Sequence, residues 1–229
     1  MCDASLTLKD ISVRLFKANA IKFGNFTTGS GALTPVYFDL RVIVSYPSLM
    51  NDLSILLGQL IQELVKENER KACLSSPGRN LICGVPITAI PITSLASVHT
   101  NLPMILKRKV AKSYGTQELI EGVWNRGDTC VLVDDVIMFG DSILDTVKDL
   151  VDAGIKCSQA VVICDREQGA VKKLARRGIQ VYSLLTLTQI LEHLKEENYV
   201  SQENCDMVRV YLAANPVSDD LINKCNNGL

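Results

Sequence analysis

Two adjacent carboxylates, Asp134 and Asp135, are the residues whose types and spacing point most directly to chemistry. They follow an apolar stretch from Thr129 to Val133 and precede a turn, Met138 to Asp141, which leads into a helical pattern beginning at Ser142. Carboxylates at the end of a buried strand can accept hydrogen bonds from the paired hydroxyls of a ribose. The free N–H groups at the start of the helix suit a phosphate. The segment therefore predicts a binding site for a phosphorylated sugar.

The spacing of apolar residues predicts strands that alternate with helices along the chain. The predicted strands are Val36 to Leu40, Leu81 to Gly84, Met104 to Leu106, Thr129 to Val133, Gln159 to Cys164 and Ile179 to Leu184. The predicted helices are Leu6 to Ala18, Leu49 to Glu67, Ile90 to His99, Ser142 to Ala153, Gly169 to Arg177, Leu187 to Lys195 and Cys205 to Ala214. This alternation indicates an α/β fold with a parallel sheet flanked by helices, with Asp134 and Asp135 beyond the end of their strand at the carboxyl edge of the sheet.

A long polar connection from Lys107 to Gly122 carries a cluster of basic residues. Long loops inside compact domains are often lids over a site or segments without fixed structure. The cluster includes Arg108, Lys109 and Lys112. The alternative is a basic loop that is merely solvated.

The stretch from Val131 to Ser142 resembles the motif with which type I phosphoribosyltransferases bind phosphoribosyl diphosphate (PRPP). That motif consists of an apolar run, two acids, two apolar residues and a loop with glycine and hydroxyl side chains. The two acids and Gly140 match it. Taken alone, the pattern leaves an alternative open, because two acids after an apolar strand also occur in response regulators and other doubly wound proteins.

Two further segments resemble the orotate phosphoribosyltransferases within that family. Lys107 to Thr116 is similar to their mobile catalytic loop, with Tyr114 where animal members often have tyrosine. Ile163 to Gly169 contains an Asp-Arg-x-x-Gly element, whose arginine in the family holds the carboxylate of orotate. Arg166 occupies that position, and its planar guanidinium suits a bidentate pair with a carboxylate.

The amino-terminal region adds to this resemblance. Phe23 to Arg41, which includes Tyr37 and Phe38, closely follows the hood of the orotate domain in animal uridine monophosphate synthases. Gly84 to Pro91 resembles the pyrophosphate loop of the family. The matching segments occur in a consistent order, which is why the chain is identified as a member of the orotate phosphoribosyltransferase family.

The resemblance implies a type I phosphoribosyltransferase fold with a small hood, and transfer of the phosphoribosyl group from PRPP to orotate to give orotidine 5′-monophosphate in pyrimidine biosynthesis. It implies Mg²⁺ carried largely by substrate and water, with no metal site made by protein side chains alone. It also implies a homodimer in which the lid acts across the interface. The implied catalytic residues are Lys112, Arg108, Lys109 and Asp135. The implied substrate-binding residues are Asp134, Asp135, Gly140, Ser142, Arg166, Tyr37, Phe38 and Tyr114.

Four positions depart from the family pattern: Gly29 replaces a lysine of the hood, Met138 and Asp141 replace hydroxyls of the phosphate loop, and Ile87 replaces a tyrosine. The carboxylate of Asp141 either faces the phosphate and repels it or caps the helix beginning at Ser142. Two hypotheses therefore stay open. The chain is a working orotate phosphoribosyltransferase of low efficiency, or it is a diverged homologue that regulates or partners an active enzyme.

Composition sets bounds on both hypotheses. A chain of 229 residues with 47% hydrophobic residues can bury one sizeable core, so we expect one domain over residues 1–229 with residues 1–45 contributing to the hood. A net charge of −1 argues against nucleic acid or a membrane as partner. The eight cysteines stand singly, as in reduced cytosolic proteins. The amino terminus lacks a signal-peptide pattern, so a cytoplasmic protein is expected. The chain ends near where the orotate domain of the animal enzyme ends, so the decarboxylase that follows there is expected to be absent.

Overall fold

The computed structural model describes residues 6–27, 31, 33–71, 78–109 and 119–214. The helices are α1 (Leu8–Lys17), α2 (Pro47–Lys71), α3 (Ile90–Thr100), α4 (Asp141–Asp152), α5 (Ala170–Ala175), α6 (Leu187–Glu196) and α7 (Gln202–Ala214). The strands are β1 (Ile21–Thr27), β2 (Leu33–Phe38), β3 (Asn80–Gly84), β4 (Met104–Lys107), β5 (Ile120–Glu121), β6 (Thr129–Ile137), β7 (Lys156–Asp165) and β8 (Gln180–Thr186). A 3-10 helix spans Leu40–Ser45.

Six strands form the main sheet, in the order β5-β4-β3-β6-β7-β8. All neighbouring strands run parallel except β4 and β5, which are antiparallel. The sheet is thus the mostly parallel one that strand–helix alternation predicts. The parallel strands β3, β6 and β7 share one carboxyl edge, at which the loops that follow them come together.

The two faces of the sheet carry separate apolar clusters, because successive side chains of a strand point to opposite faces. Val131 and Val133 of β6 pack toward the face covered by α1, α2, α3, α6 and α7. Cys130 and Leu132 pack toward the face covered by α4 and α5. Both faces of β6 are therefore buried, which explains its uninterrupted apolar run. No helix of the described part of the chain is long and apolar enough to cross a membrane.

Strand β6 is longer than the sequence predicted, and this changes the placement of the acids. The expectation that Asp134 and Asp135 follow the strand is wrong, because β6 continues through both residues to Ile137. Strand β3 ends at Gly84, opposite Val133, whereas β7 continues to pair with β6 as far as Ile137. The acids therefore lie past the end of one neighbouring strand while remaining paired to the other.

The amino-terminal region forms a two-stranded antiparallel sheet of β1 and β2. Strand β1 was not predicted, because Gly24 and Asn25 interrupt its apolar pattern, and the pairing shifts register between Phe23 and Phe26. Strand β2 begins earlier than the predicted Val36, and Leu40 belongs to the 3-10 helix instead. We call this two-stranded sheet the hood.

Candidate functional site

Asp134 and Asp135 differ in their surroundings although they are neighbours. Asp134 is 7% exposed, and its Oδ1 accepts a hydrogen bond from the backbone N–H of Asp135 at 2.9 Å. Burial raises the pKa of Asp134 well above its usual value, and the charge of Asp135 raises it further. Asp135 is only half-buried. The pair thus offers one buried and one more accessible carboxyl group, and both can bond to sugar hydroxyls.

The loop after β6 encloses a cavity of about 190 Å³, which is lined by Asp134, Val136, Ile137, Met138, Phe139, Gly140, Asp141 and Ser142. Gly140 has φ of 78°, in the left-handed region that favours glycine, and it is the N-cap of α4. A Cβ at this position would lie 3.0 Å from Leu174 Cδ1 of α5. Among the described side chains none caps α4, so its first N–H groups are available to a phosphate in the cavity.

Asp141 lines the cavity and does not cap the helix. The helix begins at Asp141 itself, and its side chain makes no capping bond, so the prediction of a cap before Ser142 is wrong. The carboxylate instead forms an ion pair with Nζ of Lys173 on α5. The Lys173 side chain is largely buried, whereas 64% of the Asp141 side chain is exposed. The negative charge at the phosphate loop therefore has a fixed positive partner.

Arg166 lies between the main sheet and the hood. Its backbone N–H donates to Ile137 O at 3.1 Å, and its Nη2 donates to Thr34 Oγ1 of β2 at 3.4 Å. Its guanidinium carbon lies 5.4 Å from the ring centre of Phe38. Arg166 is 8% exposed, and burial lowers the pKa of its guanidinium. Within the part of the chain that the structure describes, its Nε has no hydrogen-bond acceptor.

A buried guanidinium without a carboxylate partner is costly, since buried charges are normally paired. Gln168 shares this property: it is 4% exposed, and its Oε1 has no donor among the described residues. Its Nε2 donates to the hydroxyl of Tyr211 on α7 at 3.4 Å. Gln168 lies inside the Asp-Arg-x-x-Gly element, at a position where that pattern specifies no residue type. Both atoms are buried polar groups that a bound ligand would satisfy, and a planar molecule with a carboxylate suits the guanidinium.

Tyr37 and Phe38, the two aromatic residues predicted in the hood, are neighbours on β2, so their side chains point to opposite faces of the strand. Phe38 contacts Arg166, as described above. The ring of Tyr37 lies 5.6 Å from that of Phe26, and the Tyr37 hydroxyl accepts a bond of 3.5 Å from Arg41 Nη2. Only Phe38 is therefore brought to Arg166, and a substrate role for Tyr37 stays a prediction.

The described ends of the basic loop are held together by β4 and β5, in which Lys107 pairs with Ile120. Arg108 forms an ion pair of 2.8 Å with Glu121, and Lys109 is exposed. Lys112, Tyr114 and, in the hood, Gly29 lie outside the described residues, so their predicted roles stay predictions.

The segment predicted as a pyrophosphate loop follows β3, next to the acids. Val85 N donates to Val133 O at 2.8 Å, which ties the start of the loop to β6. A Cβ at Gly84 would lie 2.7 Å from Thr93 Oγ1, so α3 approaches the strand end too closely for a side chain. Ile87 is exposed. The loop and the two acids therefore share one edge of the sheet.

The described residues contain no group of three or more His, Cys, Asp or Glu side chains that could hold a metal ion. Asp134 lines the cavity together with Asp141, and two neighbouring carboxyl groups, those of Asp134 and Asp135, stand on β6 beside it. Oxygen is the ligand atom that Mg²⁺ prefers, so these two residues fit a magnesium ion that is bound mainly through substrate and water. The described cysteines are free thiols, at positions 83, 130, 157, 164 and 205.

Comparison with known proteins gives the following relatives. No family model matches the chain. It is 36% identical to uridine 5′-monophosphate synthase of Bos taurus over 222 residues, which cover 94% of this chain and 44% of the cattle protein. It is 34% identical to orotate phosphoribosyltransferase of Caenorhabditis elegans over 204 residues, which cover 89% of this chain and 85% of the nematode protein. The chain thus spans less than half of the cattle protein and most of the nematode one.

The solved structures agree in fold. The UMP synthase of Leishmania donovani superposes with a TM-score of 0.74 at 28% identity, covering 90% of this chain and 42% of that protein. Fold, order of motifs and site geometry thus converge on one family.

Proposed function

The chain belongs to the orotate phosphoribosyltransferase family, and we propose that it transfers the 5-phosphoribosyl group of PRPP to orotate, giving orotidine 5′-monophosphate and pyrophosphate. The observation that carries this proposal is the buried guanidinium of Arg166 against the hood, whose Nη2 bonds to the Thr34 hydroxyl and whose Nε has no acceptor among the described residues. Orotate is a planar ring with a carboxylate, and that carboxylate would pair with the guanidinium of Arg166 and give its Nε an acceptor.

The contacts of Arg166 suit an aromatic base as well as a carboxylate. Phe38 presents an aromatic face beside the guanidinium, which restricts the plane in which a ring can enter. Gln168 Oε1 is an acceptor with no donor among the described groups, and the ring of orotate carries N–H donors. A bound orotate would therefore satisfy a buried cation and a buried acceptor at once. Uracil, which lacks the carboxylate, would leave Arg166 unpaired.

PRPP would lie along the carboxyl edge of β6. The carboxyl groups of Asp134 and Asp135 would bind the ribose hydroxyls, and the first N–H groups of α4 would receive the 5′-phosphate, with Gly140 and Ser142 at the turn. The segment from Gly84 to Pro91 lies at the same edge, on the side where the diphosphate would extend. These positions hold the anomeric carbon of PRPP close to the base, so the two reactants meet in a fixed orientation.

The bond from the anomeric carbon to the diphosphate breaks as the bond to N1 of orotate forms. The electron pair leaves with pyrophosphate, and the proton of N1 is released to solvent. Positive charges from Arg108, Lys109 and Lys112 would stabilise the departing anion. Closure of the loop would exclude water from the reacting groups, beside which Asp135 and Tyr114 would lie. We propose that this loop acts across a homodimer, as the resemblance implies, and that the protein works in the cytoplasm. Tyr37 would line the entrance under the hood.

Mg²⁺ would be held by the diphosphate and ribose oxygens, with Asp134 and Asp135 reached directly or through water. The ion would offset charge on the diphosphate. Within the chain, we propose one domain over residues 1–229, in which the hood closes over the base.

The test is product identification. Purified protein is incubated with orotate and Mg·PRPP, and the products are resolved by anion-exchange chromatography and mass spectrometry. We expect orotidine 5′-monophosphate and pyrophosphate in equal amounts, with Asp135→Asn strongly impaired. Absence of product at high protein concentration, with intact folding, would instead favour a homologue that regulates or partners an active enzyme.

A further inference from the structure

Lys173 is a buried lysine beside the phosphate loop. It is 8% exposed, and its ammonium is ion-paired with Asp141, the residue that begins α4. Its neighbour Leu174 is the residue closest to Gly140, so α5 lies directly against the turn that precedes α4. Lysine is seldom buried unless it is paired, so the ion pair with Asp141 accounts for the burial of Lys173.

Asp141 places a carboxylate at the rim of the cavity that would receive the 5′-phosphate. Two unit charges of like sign about 4 Å apart repel strongly enough, at an effective dielectric near 20, to weaken binding by roughly a thousandfold. An adjacent ammonium removes most of that repulsion. The ion pair therefore sets how strongly the Asp141 carboxylate repels a phosphate bound at the loop.

We propose that Lys173 is a positioning residue of the phosphate loop, which neutralises Asp141 and holds its carboxylate against α5 so that the loop accepts the 5′-phosphate of PRPP. This proposal rests on the proposed function and extends it to a residue outside the phosphate-binding motif. It also explains how the loop can carry an acid in place of a hydroxyl residue.

Four proteins that differ in charge at the phosphate loop test this proposal: the wild type, Lys173→Met, Asp141→Asn and the double variant. The probe is ribose 5-phosphate, which carries the phosphate and cannot react, measured by calorimetric titration. Lys173→Met leaves the acid unpaired, so affinity should fall at least tenfold. Asp141→Asn leaves the ammonium unpaired, so affinity should rise. The double variant is neutral, like the wild type, and should bind within about threefold of it.

Steady-state kinetics distinguish positioning from folding. In Lys173→Met the KM for PRPP should rise while the KM for orotate stays unchanged, and Lys173→Arg should restore most of the loss. Arg79→Met is the matched control, because Arg79 pairs with the buried Asp128 at the opposite end of β6. It should lower stability without changing ribose 5-phosphate affinity.

Equal affinity for ribose 5-phosphate in all four proteins would overturn the proposal, as would a double variant as weak as Lys173→Met. The titrations do not depend on turnover. A protein that binds ribose 5-phosphate in the expected order but forms no orotidine 5′-monophosphate would retain the role of Lys173 and refute the proposed reaction.

Discussion

The guanidinium of Arg166 lies 5.4 Å from the ring centre of Phe38, and this contact joins the loop after β7 to the hood. Arg166 comes from the main sheet and Phe38 from strand β2, so the contact depends on how the two sheets are packed together. A cation over an aromatic ring is stabilised by ~0.5–2 kcal/mol, depending on burial. The same contact leaves Arg166 Nε, among the described atoms, without an acceptor.

Replacing Arg166 by lysine should raise the KM for orotate at least tenfold. The charge is kept, but the planar fork that holds a carboxylate with two parallel bonds is lost. The KM for PRPP should change little, since PRPP would bind to β6 and α4. Steady-state kinetics with each substrate varied in turn would measure both constants, with Arg41→Lys as a matched arginine exchange in the hood region. An unchanged KM for orotate would show that the base does not bind at Arg166.

Gln168→Leu should weaken orotate binding severalfold without lowering stability. Gln168 Oε1 is buried without a donor among the described residues, so its removal relieves an unsatisfied acceptor in the free protein. In the complex the same change removes a partner for the ring. Calorimetric titration of orotate and a thermal melt would be made on the same sample. Lower stability combined with unchanged orotate affinity would show that Gln168 has only a structural role.

The stability that Asp134→Asn gains over the wild type should increase as the pH rises. The folded-state pKa of Asp134 is raised by burial and by Asp135, so folding favours the protonated form. In the unfolded chain the carboxyl ionises near 3.8, and wild-type stability falls as pH rises from that value through the folded pKa. The asparagine variant lacks this titration. Urea unfolding at pH 5 and pH 8 would measure the difference, and a stability gain that is the same at both pH values would contradict it.

Much of the site could be predicted from local motifs, since Asp134, Asp135, Gly140 and Arg166 each stand in a short pattern with a physical role. The structure brings Asp134 and Gly140 to one cavity, with Asp135 next to Asp134 on β6, and sets Arg166 against Phe38. The ion pair of Lys173 could not be predicted. It depends on α5 packing against the turn before α4, a tertiary approach to which no spacing in the sequence points.

The same distinction applies to the fold. The alternation of strands and helices was predictable because buried parallel strands read as apolar runs, as in Thr129 to Val133. The continuation of β6 through its acids was not, since charged residues ordinarily mark a strand end. Strand β1 was missed because Gly24 and Asn25 resemble a turn, whereas in the structure they lie at a shift of register opposite β2.

A mixing experiment tests the proposed action of the lid across a dimer. Lys112→Ala and Asp135→Asn should each lose most activity, because one removes charge from the loop and the other removes a carboxylate from the ribose site. A mixed dimer has one site with both wild-type groups, so activity should return toward a quarter of the wild-type value if subunits exchange at random. Subunit exchange would be verified by mass spectrometry. No recovery after complete exchange would contradict a lid that acts in trans.

The most direct test of the central claim compares orotate with uracil in the presence of Mg·PRPP, following the absorbance of each base as it is consumed. The Arg166 pocket predicts rapid loss of orotate and a kcat/KM for uracil lower by at least a hundredfold, or ~2.8 kcal/mol, because uracil leaves the guanidinium unpaired. Arg166→Ala should reduce that preference by lowering the orotate value. A flat trace with orotate, or equal use of the two bases, would contradict the account.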